Sequence, residues 1–349
     1  MTIQNSALWL SSRAGELTLA PAPYTPPASG QVVVRTRAVA INPLDAIGAF
    51  IYRVAFPWVR FPAIIGTDVA GEIVEVGAGV TRLAPGDRVI GYAVGLEKSR
   101  NNPAEGAFQH YVVLLEHLVS PIPDAVTFEE ASVLPLTLAT AAVGLYQKDQ
   151  LGLPLPTIGP IDRAQTVLVW GGSTSLGSNA IQLARSSGYR VVATASPRNV
   201  DYVRSLGAEA VIDYRSVNAV DELVTAIGNS PLTGTIAIGD GSLRPSIRVA
   251  SRTQGSRRVA SAMVGPLISL QALRARMSGV HVSTIWGGSL KDNEVGPAIF
   301  ADFLPNALAT AQYRPAPVAD VVGTGLEAIP GAIQKLKGGV SASKLVVTI

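Results

Sequence analysis

The 349-residue chain has no cysteine, three histidines and three methionines, and only 15% of its residues are charged. Without cysteine there is neither a disulfide nor a thiolate ligand, and His110, His117 and His281 alone make a conventional zinc site hard to build. The 28 basic and 25 acidic residues leave a net charge of +3 spread along the chain. No lysine-rich patch is there to neutralise a row of phosphates, so no nucleic-acid partner is expected. Long apolar runs are missing too: Gly, Pro or a charge interrupts each one before the roughly 20 residues that a membrane-spanning helix requires. The opening MTIQNSALWLSS lacks a basic segment, a long apolar core and a small-residue cleavage site, so the expected location is cytoplasmic. What is abundant is apolar side chain, 48% of the total, as in a well-buried globular protein. The length suits two domains of ordinary size.

Residues 1–126 are rich in short β-type runs (QVVVRTRAVAIN, VAGEIVEVGAGV, DRVIGYAV, FQHYVVLLEHLVSPIP) cut by Pro and Gly at turn positions. This reads as a small, irregular β-rich domain. The pattern then changes to a helix-like segment, FEEASVLPLTLATAAVGLYQ, with Thr127 as N-cap and Glu130 completing a capping box. After the connector LGLPLPTIGPIDRA, strands are expected at TVLVW, RVVATA, AVID, TGTIAIG, RRVASAMV and VHVSTIWG, with helices beginning near Leu176, Arg198 and Asn218. Such alternation argues for an α/β domain, a doubly wound parallel sheet covered by helices, spanning 127–310. GLEAIPGAIQKLKGG reads as a helix stopped at Gly338 or Gly339, and KLVVTI as a last strand. If that strand rejoins the first domain, the first domain is discontinuous: 1–126 plus 311–349.

The most informative stretch is TVLVWGGSTSLGSNAIQLARSSG, residues 166–188, where an apolar strand enters a Gly/Ser/Thr turn that opens a helix. Backbone N–H groups and the positive end of a helix dipole converge in such a turn and suit a pyrophosphate. With Gly172 and Gly177 as the outer glycines of Gly-x-Gly-x-x-Gly, the middle one is replaced by Thr174. The candidate phosphate contacts are Gly172, Ser173, Thr174, Ser175, Leu176 and Gly177. Hydroxyl donors on Ser173, Thr174 and Ser175 offset the missing glycine. The next strand ends in RVVATASPRN, with no acid to accept from a ribose 2′-OH; Ser196, Arg198 and Asn199 stand there instead. NADPH is therefore the expected cofactor. The same residues also suit a helix start, with Ser196 as N-cap and Pro197 at the first helical position.

The segments AVAINPLDAIG, GTDVAGEIVEVGAGVTRLAPGDRVIGYA, EGAFQHYVV, PLTLATAAVGL, GGSTSLGSNAIQLA and SLGAEAVIDYR resemble the zinc-lacking medium-chain dehydrogenase/reductases. Within that superfamily the chain is most similar to quinone oxidoreductase-like and trans-acting enoyl reductase-like members of biosynthetic clusters, over nearly its whole length. The resemblance implies a Rossmann NADPH-binding domain beside a β-rich GroES-like catalytic domain. It further implies a metal-independent reductase of secondary metabolism that transfers hydride to an activated C=C of an enone, enoyl or quinone-type substrate. A small hydrophobic or carrier-bound polyketide-like substrate and a homodimer go with that reading. Zinc-dependent relatives carry a cysteine near Leu44 or Asp45, Gly-His-Glu where this chain has Gly66-Thr67-Asp68, and a four-cysteine lobe around Leu96 to Pro103. These ligands are absent here, so no metal is expected.

Carried over by resemblance, Asn42 lies near the nicotinamide ribose or the reacting substrate, although Asn also suits a turn before Pro43. Thr137 and Thr140 belong to the helix start that faces the nicotinamide, and Tyr214 packs near the 2′-phosphate. Tyr52 stands where some enoyl reductases place a tyrosine, within an aromatic run (Phe50, Tyr52, Phe56, Trp58, Phe61) that suits either a cleft lining or a core. Asn42, Tyr52 and Thr137 are thus the catalytic candidates, with Asn42 or Tyr52 as donor to a developing oxyanion. Asp68 either takes part in catalysis or pairs with a local basic or amide group. Two other functional classes remain compatible with these residues: a non-redox isomerase or cyclase on a reductase scaffold, and a non-catalytic ligand-binding relative. The basic run LRPSIRVASRTQGSRR, residues 243–258, has no functional reading from sequence.

Overall fold

Residues 3–349, apart from the side chains of Ala49 and Pro266, are described by a computed structural model. They form two compact units: one holds the chain up to Leu136 and again Phe300–Ile349, the other Thr137–Ile299. The first unit opens with the antiparallel hairpin β1 (Asn5–Leu10) and β2 (Leu17–Ala22), followed by β3 (Gln31–Ala40), whose apolar residues are almost all buried. A short 3-10 turn, Pro43–Ala46, and helix α1 (Ala49–Ala55) lead to β4 (Ala63–Ile64), β5 (Asp68–Val76), β6 (Arg88–Tyr92), β7 (Tyr111–Leu115) and β8 (Val119–Pro121). Helix α2 (Phe128–Ser132) is capped as its sequence suggests, with the Thr127 hydroxyl accepting from Glu130 N and the Glu130 carboxylate from Thr127 N.

The expected single helix over FEEASVLPLTLATAAVGLYQ is instead two, α2 and α3 (Pro135–Tyr146). Proline cannot continue a helix but starts one well, so the chain breaks at Val133–Leu134 and restarts at Pro135. Because α2 packs on β3, β5 and β6, residues 127–136 fall in the first unit rather than the second.

The second unit alternates as its sequence suggests: β9 (Thr166–Trp170), α4 (Ser175–Ser186), β10 (Arg190–Ala195), α5 (Val200–Ser205), β11 (Ala210–Asp213), α6 (Ala219–Ile227) and β12 (Leu232–Ala237). It continues with α7 (Leu243–Arg252), β13 (Arg258–Ser261), α8 (Pro266–Arg276), β14 (His281–Thr284) and a single turn, α9 (Val295–Pro297). The six strands are parallel, in the order β11-β10-β9-β12-β13-β14. β9 is buried along its whole length, as a central strand covered on both faces must be. β9 leads to β10 on one side, whereas β12 on its other side is reached from β11, and ligands bind such sheets beyond the carboxyl ends of the strands at that switch point.

The chain then returns to the first unit through α10 (Leu304–Ala309), which packs against β8, and this places residues 300–310 there rather than with the parallel sheet. β15 (Val318–Thr324), α11 (Ile329–Lys337) and β16 (Ser343–Thr348) follow. The last strand joins β3 antiparallel, with Val347 opposite Val39, so the first unit is discontinuous. Its main sheet runs β15-β16-β3-β5-β6-β8, with β7 paired to β3, and β2-β1-β4 form a smaller one.

Candidate functional site

In the second unit, β9 ends at Trp170 and the chain turns at Gly171, whose φ of +92° is left-handed backbone that favours glycine. Gly171 N donates to the Thr194 hydroxyl at 3.0 Å and Gly172 N to Thr194 O at 2.8 Å, which anchors the turn to β10. A Cβ on Gly177 would lie 2.2 Å from Gly171 O, so only glycine lets α4 start this close to the strand. Thr174 caps α4: its hydroxyl donates to Gly171 O at 2.8 Å and accepts from Gly177 N at 3.0 Å. That corrects one expectation, since a hydroxyl already donating inside the turn has no proton for a phosphate. The backbone N–H groups of Ser173, Ser175 and Leu176 make no hydrogen bond among the described residues. Three unmet donors at a helix start fit the pyrophosphate of a dinucleotide.

The β10 end carries the other half of the site. Ser196 and Asn199 are buried, while Arg198 is exposed and makes no ion pair or hydrogen bond among the described residues. Parallel pairing of Ala195 with Asp213 sets Ser196 and Tyr214 at the ends of adjacent strands. Tyr214 is half exposed, with the Arg215 guanidinium 5.3 Å from its ring centre. It also lines a cavity of about 340 Å³ with Trp170, Ser216, Asp240 and Arg248. Arg248 was missed from the sequence. The basic run is helix α7, burying Leu243, Ser246 and Val249 and leaving Arg244, Arg248 and Arg252 outward; their four-residue spacing was the available signal. Elsewhere in this unit the Thr137 hydroxyl accepts from Asn179 Nδ2 at 3.0 Å, and Gly287 leaves room for the Thr140 hydroxyl, which would approach a Cβ there to 2.6 Å.

In the first unit Asn42 is buried, and its Nδ2 donates to Asp68 Oδ2 at 2.9 Å and to Thr67 Oγ1 at 3.2 Å. Its amide protons are spent, which removes Asn42 as donor to an oxyanion. Asp68, also buried, accepts in addition from the Lys344 ammonium and from Leu136 N at 2.5 Å, the latter at the start of α3. The reading of Asp68 as partner of a local basic or amide group therefore holds. Lys344 donates further to Val133 O at 3.0 Å. Among the described residues no group of three or more His, Asp or Glu is placed to hold a metal ion.

Asp45 Oδ2 accepts from Asn42 N at 2.7 Å. Burial pushes its carboxyl up to about 7, opposed by that hydrogen bond and reinforced by the nearby Asp68. Tyr52, in α1, packs its ring against Phe56 and Phe61 at 5.8 and 6.1 Å. Its hydroxyl is buried without a partner, and burial, then the Asp45 charge, pushes its pKa up. Thus Asn42, Thr67, Asp68 and Asp45 come together, with Tyr52 and Asp45 lining one cavity.

Residues 28–124 match the alcohol dehydrogenase GroES-like domain. The chain is 43% identical to the dehydrogenase azaJ of Aspergillus niger over 99% of both chains, and 36% identical to the trans-enoyl reductase himH of Aspergillus japonicus over 99% of this chain and 97% of that one. Among solved structures, an alcohol dehydrogenase superfamily protein from Novosphingobium aromaticivorans superposes with a TM-score of 0.74 at 27% identity over 99% of each chain. The CurK enoyl reductase does so at 0.76, 20% identity and the same coverage, a likeness of fold. A GroES-like mixed-sheet unit and a Rossmann-like parallel-sheet unit are thereby established, and the chain belongs to the medium-chain dehydrogenase/reductase superfamily of oxidoreductases.

Proposed function

We propose that this chain is an NADPH-dependent, metal-independent reductase of secondary metabolism that acts on an activated C=C in an enone, enoyl or quinone-type substrate. One observation carries the reading: three unmet N–H groups at the start of α4 stand beside a β10 end that has Arg198 and no carboxylate. The trans-enoyl reductases among its relatives support the reaction class. Bound there, the nicotinamide dinucleotide supplies hydride.

The chain's own residues bind and orient. Ser173, Ser175 and Leu176 offer N–H groups to the pyrophosphate, Arg198 and Ser196 recognise the 2′-phosphate, and Tyr214 flanks it. Of Asn42, Tyr52 and Thr137, only Tyr52 keeps a side-chain donor without a partner among the described residues, so its phenol is assigned to a substrate oxygen. Asp68 is occupied by Lys344, Asn42 and Leu136 N, which leaves it no part in polarising the substrate through a metal. The substrate is small and hydrophobic, or carrier-bound and polyketide-like.

Calorimetric titration tests the cofactor assignment. NADPH should bind at least about tenfold more tightly than NADH, and Arg198→Ala should erase most of that difference. Equal affinities overturn it. Stoichiometric loss of NADPH with a panel of enones, enoyl thioesters and quinones tests the reaction; conversion of a panel member without NADPH oxidation would favour the isomerase class instead.

A further inference from the structure

The net charge of +3, expected to be spread along the chain, comes instead from one segment of the second unit: residues 241–290 contain seven arginines and no Asp, Glu or Lys. Outside it, acids outnumber bases. Helices α7 and α8 run back from the carboxyl ends of the strands, which collects Arg252, Arg257, Arg274 and Arg276 at the amino ends of β13 and β14. Arg257 Nη1 donates to Ser278 O at 3.3 Å and so sits at the end of α8. Two acids come near this end: Asp221 pairs with Arg252, and Asp149, brought beside Arg258, is offset by Lys148. Arg274 and Arg276 are exposed and make no ion pair or hydrogen bond among the described residues. Between these arginines α8 is apolar on both faces. Ile268 and Ala275 pack on the core of the sheet, whereas Leu267, Leu270, Leu273 and Met277 are between 44% and 89% exposed. With the α-helical repeat those four form one stripe on the side opposite Ala275. A helix apolar on both faces belongs between two apolar partners, and the described residues supply only one.

We propose that α8 docks the protein on an anionic lipid surface, its Leu267, Leu270, Leu273 and Met277 stripe entering the apolar edge of the bilayer while Arg257, Arg274 and Arg276 meet the headgroups. Charge and shape both favour lipid over a protein. The stripe is a ridge on one helix, about 15 Å long. Fluid lipid closes round a ridge, whereas a protein partner must offer a matching groove, and stable protein interfaces bury roughly 800 Å² per partner, more than four side chains expose. A second copy would set α8 against α8 and bring the same arginines together with no acid on either helix. Arginine stems are long enough to lie along an apolar ridge while the guanidinium reaches a phosphate. Each such cation adds an attraction to an anionic surface that salt screens. None of these residues belongs to the cofactor or substrate assignments, so the proposal stands apart from the reductase reading.

Co-sedimentation of the full chain with vesicles of phosphatidylcholine, alone or mixed with phosphatidylserine, tests the surface. The mixed vesicles should bind at least about tenfold more tightly, and about 0.5 M salt should remove most of that preference. Changing Leu267 and Leu273 together to Ser should weaken binding to the mixed vesicles at least about tenfold. Arg274→Gln with Arg276→Gln should instead abolish the preference for phosphatidylserine. Should the leucine variant fail to fold, Met277→Glu, at a position 89% exposed, decides in its place and should weaken binding likewise. Absence of vesicle binding, equal binding to both vesicles, or binding that neither the leucine nor the Met277 change reduces overturns the proposal. So does a dimer of the free chain in sedimentation equilibrium that the leucine changes dissociate, which assigns the face to a second copy. Binding of polyglutamate without binding of vesicles overturns it in favour of an acidic protein.

Discussion

Asp45 shows how far a residue's behaviour departs from its place in a motif. As the fourth residue of Asn-Pro-Leu-Asp it reads as ordinary turn chemistry, and it does accept from Asn42 N. Its consequence comes from burial, which a sequence does not display: the carboxyl is pushed from 3.8 up to about 7. A raised acid pKa means that the folded chain keeps this proton while the unfolded chain loses it between pH 3.8 and about 7. Stability contributed by Asp45 therefore falls as pH rises through that window, by at most about 4 kcal/mol. Asp45→Asn cannot ionise. Urea unfolding should show the variant gaining on the wild type from pH about 4 to about 8, and parallel curves would refute the assignment. Asn42 teaches the same lesson in reverse: its position was legible, but its amide protons proved committed to Asp68 and Thr67.

At the scale of elements, the α4 turn was the most legible feature because backbone sterics dictate it. Gly171 needs its positive φ and Gly177 its missing Cβ, and both requirements are visible as glycines. Thr174 is the informative departure, since it works as a helix cap where a glycine would leave the turn open. Thr174→Ala should cost about 1 kcal/mol in chemical unfolding, whereas Thr174→Gly costs a few tenths. Both should retain NADPH binding, because the free N–H groups belong to Ser173, Ser175 and Leu176. Loss of binding in both would show that the threonine hydroxyl contacts the phosphates after all. The parallel strands were equally readable from their apolar runs. The helix pair α2 and α3 was not, because helical periodicity continues across Val133–Leu134 and only Pro135 reports the break. Helix α7 escaped a functional reading because its arginines look like a charge run until its buried face is known.

At the scale of the whole molecule, what a linear reading could not supply is the pairing of Asp68 with Lys344, 276 residues apart. Sequence showed that KLVVTI is a strand and that a strand rejoining the first domain would make it discontinuous. It did not show that its lysine is buried and neutralises a carboxylate at the start of β5. That pair connects three separate pieces of the first unit, since Asp68 also receives Leu136 N at the start of α3 and Lys344 also donates to Val133 O. Removing one partner strands the other charge in a dry interior, a loss that typically costs about 3–5 kcal/mol. Lys344→Met should be destabilised by that amount. Asp68→Asn added to it removes the stranded charge, while an amide oxygen can still accept from Leu136 N. The double variant should therefore recover at least half of the loss in denaturant unfolding. If the two substitutions instead add, the ion pair is not what joins the last strand to the rest of its unit, and the packing of Leu345, Val346 and Val347 must do so alone.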